Sequence, residues 1–426
     1  MLSPEPSSLK KGSGGELKTM DILDPDKIKK SFPIFKHNPK LVYLDSAASS
    51  QTPEQVLEAI NDYYTKYRSN VHRSLYKIGE EATLSYEKAR ETIANFIGAS
   101  HEEVIFTPSA TLASNMLMYA LEGHLNLGRG DVIVTTHMEH HSSLVPLQEL
   151  ARRTGATLRY IPITSEYELN YDIAEEIIDK NTKIVVTSLA SNVLGTINDS
   201  KRLAKLAHRH GALFVLDATK AVGHMEVRVK ELDADFLYFS GHKMCGPTGI
   251  GVLYGKREHL EDMPPGIFGG GIVLDVEPHS AEWRETPGRF EAGTPNIAGA
   301  IGLGRAVLYL EEIGIDKIHA HIEKLTELAL NELKKISGVN ILGQNDVAKN
   351  IGIVTFTIDG IHAHDITQIM SDMHIALRAG HHCAQVLLKE LNVSSAARAS
   401  FYLYNTEEDV MALVAGIKRA KEVFNK

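Results

Sequence analysis

Between residues 42 and 240 the chain repeats one pattern: a short apolar run, then a stretch of helical periodicity. The runs at 42–44, 104–107, 132–136, 158–162, 184–189, 213–217 and 236–240 read as strands. Most lack polar alternation, as strands covered on both faces do. Helical patterns fall between them, at 53–67, 86–97 and 200–210 among others. Strands alternating with helices predict an α/β domain with a mainly parallel, seven-stranded sheet. After a long helical stretch at 301–336 the pattern changes. Strand-like segments at 353–358 and 399–404 mix with helices at 365–373 and 407–424, which reads as a smaller α+β domain. The expected organisation is a tail at 1–20, a large domain at 38–300, and a small domain made of 21–37 and 301–426.

The tail is rich in Ser, Pro, Gly and Lys, includes Glu5 and Glu16, and has no apolar core of a secretory signal. It reads as flexible, with Met20 as an alternative start. No apolar run approaches the roughly 18 residues of a membrane span. The formal net charge of −9 argues against a nucleic-acid or anionic-membrane surface, which wants clustered Lys and Arg. Only two cysteines, Cys245 and Cys383, are present, too few for a disulfide framework. A reducing compartment, the cytoplasm, is expected.

Three segments suggest chemistry. In Phe236-Leu237-Tyr238-Phe239-Ser240-Gly241-His242-Lys243 an apolar strand ends in small and polar residues and then presents a lysine. A Schiff-base lysine needs a rigid support and surroundings that depress its proton affinity. Read alone, Lys243 is as well explained as a surface lysine at a strand end. Asp217 closes the apolar run 213–217, where open α/β sheets bind ligands. A carboxylate there suits a protonated pyridine nitrogen, although a turn-forming Asp is common. Ser109-Ala110-Thr111 follows a strand and opens a helix, which suits a phosphate or an ordinary N-cap.

The combination resembles the class V aminotransferase family of pyridoxal-phosphate enzymes, and within it the Suf-type cysteine desulfurases. The resemblance runs from about residue 22 through Tyr43-Leu44-Asp45-Ser46-Ala47-Ala48, Asn70-Val71-His72-Arg73 and Met138-Glu139-His140-His141. It continues through Ser191-Asn192-Val193-Leu194-Gly195-Thr196, Ser240-Gly241-His242-Lys243 and Phe290-Glu291-Ala292-Gly293-Thr294-Pro295-Asn296, and ends at Arg378-Ala379-Gly380-His381-His382-Cys383-Ala384. It implies an aspartate-aminotransferase-like fold (fold type I), pyridoxal 5'-phosphate as cofactor and L-cysteine as substrate. Lys243 then bonds the cofactor, Asp217 pairs with its ring nitrogen, His140 stacks on the ring and is a candidate proton shuttle, and Asn192 reaches the ring hydroxyl. Thr111, Ser240 and His242 bind its phosphate, joined by Thr294 from a second subunit of a homodimer. Arg398, with Arg378, takes the substrate carboxylate, and Cys383 receives the sulfur as a persulfide.

The resemblance further implies a small sulfur-acceptor protein and delivery toward iron–sulfur clusters. If that acceptor bears zinc, His364 is the candidate contact with the metal. The chain itself is expected to hold no metal, since adjacent residues such as His381, His382 and Cys383 rarely converge on one ion. Cys245 is expected to be a packing residue. Three departures stand out: Lys220, a cofactor contact near the ring hydroxyl in place of a usual glutamine, Ser109-Ala110-Thr111 in place of Gly-Thr-Thr, and Val386 in place of a proline. Two rival readings stay open. One is a selenocysteine lyase or another class V enzyme. The other is a non-catalytic scaffold subunit of a sulfur-transfer complex.

Overall fold

A computed structural model describes residues 23–73 and 75–424, so the tail expected at 1–20 lies outside the described residues. Seven strands form the central sheet, in the order Val104–Thr107, Gly251–Gly255, Phe236–Ser240, Leu213–Asp217, Thr182–Ser188, Val132–Thr136 and Thr157–Ile161. From Phe236–Ser240 onward neighbours are parallel, and Gly251–Gly255 runs against both of its neighbours. Val104–Thr107, Val132–Thr136, Phe236–Ser240 and Gly251–Gly255 are buried at every position. Helices cover both faces of such strands, so their sequences have no polar side to show.

The fold class is the one expected, but the seven strands are not the seven read from the sequence. The run at 42–44 forms Val42–Tyr43, which pairs in parallel with Ile375–Ala376, away from the central sheet. Its place is taken by Gly251–Gly255, whose terminal glycines disguise a strand. A Cβ at Gly251 would lie 2.7 Å from the Phe239 carbonyl oxygen, and one at Gly255 2.7 Å from Leu260 Cδ2. These glycines answer to close packing rather than to a turn. The helix expected at 301–336 is two helices, Ile297–Ile313 and Ile315–Leu333. Gly314, at φ +97°, breaks it in a conformation that side chains oppose.

A second, antiparallel sheet has the order Val339–Leu342, Ile353–Ile358, Ala396–Ser400, Arg378–Gly380. Helices Ala363–Asp372 and Glu407–Phe424 pack with it around Phe356, Ile366, Met370 and Leu413. Short helices Pro25–Lys29 and Pro33–His37 are pinned from the other end of the chain. The Phe32 ring meets Tyr404 edge-on at 5.1 Å and Tyr309 at 5.9 Å.

At the amino end of Phe236–Ser240, Asp235 is buried and ringed by donors. Its Oδ2 accepts from Phe214 N at 2.7 Å and lies 2.8 Å from His208 Nε2. Its Oδ1 lies 2.7 Å from Lys256 Nζ and 3.3 Å from His259 Nε2. Burial alone would raise this carboxyl, but the hydrogen bonds from His259, Lys256, Phe214 N–H and His208 outweigh it and hold it well below the usual range. A carboxylate depressed in the folded state contributes stability above its unfolded pKa and loses it as the pH falls. Asp235→Asn is therefore expected to cost about 3 kcal/mol in urea unfolding at pH 7. The gap between parent and variant should narrow as the pH drops below about 4.

Candidate active site

The carboxyl ends of the parallel strands deliver side chains to one edge of the sheet. Val104–Thr107 leads to Thr111, Val132–Thr136 to His140, Thr182–Ser188 to Asn192, Leu213–Asp217 ends on Asp217, and Phe236–Ser240 leads to Lys243. Arg378 and Arg398, paired directly across the antiparallel sheet, close the other side. One cleft brings together Thr111, His140, Asn192, Asp217, Lys220, Ser240, His242, Lys243, Arg378, Cys383 and Arg398.

Asp217 accepts from Ser143 Oγ at 2.9 Å and from Thr219 N at 2.9 Å, and Ser143 is held in turn by Tyr238 OH at 2.8 Å. Among the described residues Asp217 forms no ion pair, although it is 5% exposed. A buried carboxylate so placed is ready for a cationic ligand. Lys243 ends the turn Gly241–Lys243. Burial brings its ammonium down to about 8; Asp217 opposes the shift, while Arg398 and Arg378 add to it.

His140 is the N-cap of helix His141–Thr154. Its Nδ1 accepts from Ser142 N at 3.0 Å, so the neutral ring carries its proton on Nε2. Burial, then the charge of Lys243, lowers it to about 4, so it is neutral at pH 7. At the start of helix Ala110–His124, Ser109 caps Leu112 N, and Ala110 N donates to Ser240 Oγ at 2.8 Å. His242 Nδ1 lies 3.3 Å from Ser49 Oγ, and burial lowers it to about 4.

Cys383 sits on a backbone that turns the wrong way for side chains, with φ +51° at His382 and +56° at Cys383. Such residues persist only where neighbours hold them. Here Asn192 Nδ2 donates to His382 O at 2.8 Å, His141 N to Cys383 O at 2.8 Å, and His382 Nε2 lies 2.9 Å from Ala396 O. The loop is fixed by these bonds from three elements, with Val386 inside the helix Gln385–Glu390 that follows.

Two expected residues lie elsewhere. Thr294 lines a second, larger hollow with Asn70, His72, Arg73 and Arg284. His364 is exposed on the first turn of Ala363–Asp372, its ring 5.1 Å from that of His362. Sequence reading gave no role to Asp45, whose Oδ1 meets Arg398 Nη2 at 3.1 Å, nor to Glu139. Burial pushes Glu139 up to about 8; its bond from Thr136 opposes this and the nearness of Asp217 adds to it. That shift favours its neutral form beside Asp217. Both residues stand inside segments that carry the family resemblance, but only their contacts reveal what they do. Among the described residues no cluster of His, Cys, Asp and Glu is arranged to hold a metal ion, and no helix is long and apolar enough to cross a membrane.

The family model described as aminotransferase class-V matches residues 42–413. A probable cysteine desulfurase of Halalkalibacterium halodurans is 50% identical over 94% of this chain and 99% of its own. One of Staphylococcus aureus is 48% identical over 94% and 98%. Among solved structures, the apo cysteine desulfurase from Thermococcus onnurineus NA1 superposes with a TM-score of 0.89 at 41% identity, covering 95% of this chain and all of that one. An S-sulfonic acid form of the cysteine desulfurase CsdA from Escherichia coli gives 0.88 at 36% identity, with coverages of 95% and 100%.

The two thiols differ in surroundings. Cys383 faces the cleft, whereas Cys245 is fully buried and burial pushes its thiol up to about 12. Brief iodoacetamide treatment at pH 8, read by peptide mass spectrometry, is expected to alkylate Cys383 and spare Cys245 until the protein is unfolded.

Proposed function

The chain belongs to the class-V aminotransferase family, and on that premise we propose that it is a pyridoxal-phosphate-dependent cysteine desulfurase. It converts L-cysteine and the thiol of Cys383 into L-alanine and a persulfide on Cys383. The observation that carries this reading is the company in one cleft of the Lys243 amine, a buried carboxylate that forms no ion pair among the described residues, two guanidinium groups and a thiol.

The residues fit the cofactor. Lys243 would bond its aldehyde carbon, and Asp217 would pair with the ring nitrogen. The N-terminus of helix Ala110–His124, with Thr111, Ser240 and His242, would hold the phosphate. His140 would cover the ring and Asn192 face its hydroxyl. When bound, pyridoxal phosphate supplies an electron sink that makes the substrate Cα acidic and loosens the bond to sulfur on the next carbon.

Arg398, with Arg378 across the strand pair, orients the substrate carboxylate. Lys243, which burial brings down to about 8, would take the Cα proton when it is not bonded to the cofactor. His140, neutral with its proton on Nε2, would donate that Nε2 proton within the cleft. Cys383, as thiolate, attacks the substrate sulfur. The carbon–sulfur bond breaks, the carbon fragment takes a proton and leaves as alanine, and the sulfur stays on Cys383.

The working unit in this reading is a homodimer. Hairpin Val273–Glu277/Ser280–Trp283 leaves Leu274 73% and Val276 61% exposed beside the hollow that holds Thr294. Apolar residues so exposed suit a second copy, whose phosphate site Thr294 would complete. The persulfide passes to a small acceptor protein that serves iron–sulfur cluster assembly. His364, exposed on a helix that packs on the Arg378–Gly380 strand, is the residue a zinc-bearing acceptor would meet.

Cys383→Ser is expected to keep the yellow, cofactor-bound form and lose alanine production by about two orders of magnitude or more. Turnover at the parent rate would remove Cys383 from this role. Leu274→Asp with Val276→Asp is expected to yield monomers in sedimentation velocity, with weakened phosphate retention. A fully active dimer would reject the hairpin as the interface.

A further inference from the structure

Lys220 is 3% exposed and lines the same cleft as Lys243. Its Nζ lies 2.8 Å from His224 Nε2, and among the described residues it forms no ion pair. His224 is fully buried and stacked on Tyr402 at 4.2 Å between centroids with the rings 19° apart. A buried lysine normally sits on a carboxylate. This one is seated on an imidazole nitrogen, to which an ammonium and an uncharged amine can each donate an N–H. It can therefore be held in the cleft in both protonation states.

We propose that Lys220 is the proton acceptor for Lys243: the two amines share one proton, and it passes to Lys220 when Lys243 bonds the cofactor. The proposal rests on the reading of Lys243 as the cofactor-bearing lysine. The step balances. The protonated Lys243 gives up a proton, its nitrogen bonds the aldehyde carbon, the aldehyde oxygen leaves as water, and the released proton goes to the uncharged Lys220 amine. An imine nitrogen is a weaker base than an amine, so the proton is better held on Lys220 after the bond has formed. A cation beside the bonded nitrogen then keeps that nitrogen unprotonated to lower pH, as a neighbouring cationic group does for other Schiff-base lysines. Burial is the main cause that lowers Lys220 and the charge of Lys243 the second. Bond formation relieves the second cause.

The other groups in the field are the same with or without Lys220. Arg398 and Asp45 face it from Ala396–Ser400 and from the loop after Val42–Tyr43, and His319 faces His224 from Ile315–Leu333. Asp217, Arg378, Arg398 and Cys383 face Lys243, and Lys243 and Asp217 act on His140. Lys220 acts through Lys243, which makes it a positioning residue for the proton.

The test is a spectroscopic titration of the holoenzyme, following the visible absorbance of the bound cofactor against pH without substrate. Lys220→Gln and Lys220→Met, both uncharged, are expected to raise the midpoint by about one pH unit or more. Lys220→Arg, which keeps the charge, should leave it near the parent value. Borohydride reduction and peptide mapping of the parent separate this proposal from the reading it rests on. A cofactor fixed elsewhere than Lys243 overturns both. A cofactor on Lys243, with both uncharged variants titrating within about 0.3 unit of the parent, overturns the role of Lys220 alone.

Discussion

Arg398 holds the two halves of the site in register. Its Nη1 donates to Asn192 O at 2.8 Å, on the loop after a strand of the parallel sheet, and its Nη2 meets Asp45 Oδ1 at 3.1 Å. Its own backbone belongs to the antiparallel sheet, on the strand next to the edge strand Arg378–Gly380. One buried guanidinium thus ties three stretches of chain that are far apart in sequence. Among the described residues its Nε has no partner. A guanidinium so confined has a fixed fork direction, and a fixed fork selects the orientation of any carboxylate that approaches it.

The thiol depends on that registration. Asn192 offers its carbonyl to Arg398 and its amide to His382 O, so the arginine clasp and the Cys383 turn share a residue. The left-handed residues at 382 and 383 cost about 1–3 kcal/mol each. They persist because the surrounding bonds come from both sheets. Through His141 N the turn also joins the residue that follows His140. The loop that carries Cys383 is thereby tied to the helix start that carries His140.

Much of this was legible in the sequence because its signals are local. Apolar runs without alternation marked a parallel sheet, and the ends of those runs pointed to Asp217, Lys243 and Thr111. The strand Gly251–Gly255 was not legible, since the packing against Phe239 and Leu260 that demands its glycines comes from elsewhere in the chain. The run at 42–44 carried the same apolar signal as the others, and only its partner at Ile375–Ala376 removes it from the central sheet. Asp45 and Glu139 have no signal of their own. Their parts come from Arg398, from Thr136 and Ser188, and from burial. Lys220 stood out as a change of residue, but its seat on His224 needed the fold to show it.

The clasp of Phe32 by Tyr404, and the bond of Ser46 to Tyr404 across 358 residues, carry a consequence for how the molecule is made. The first described segment packs against the last tenth of the chain. At a synthesis rate of about 5–20 residues per second, it waits roughly 20–70 s for its partner to be made. The central sheet can close during that interval. The cleft cannot, because Asp45 and Arg398 meet only when both ends of the chain are present. Such long-range closure is slow and exposes apolar surface in the meantime. For that interval Phe32 and Phe35 lack the Tyr404 ring that covers them in the folded chain.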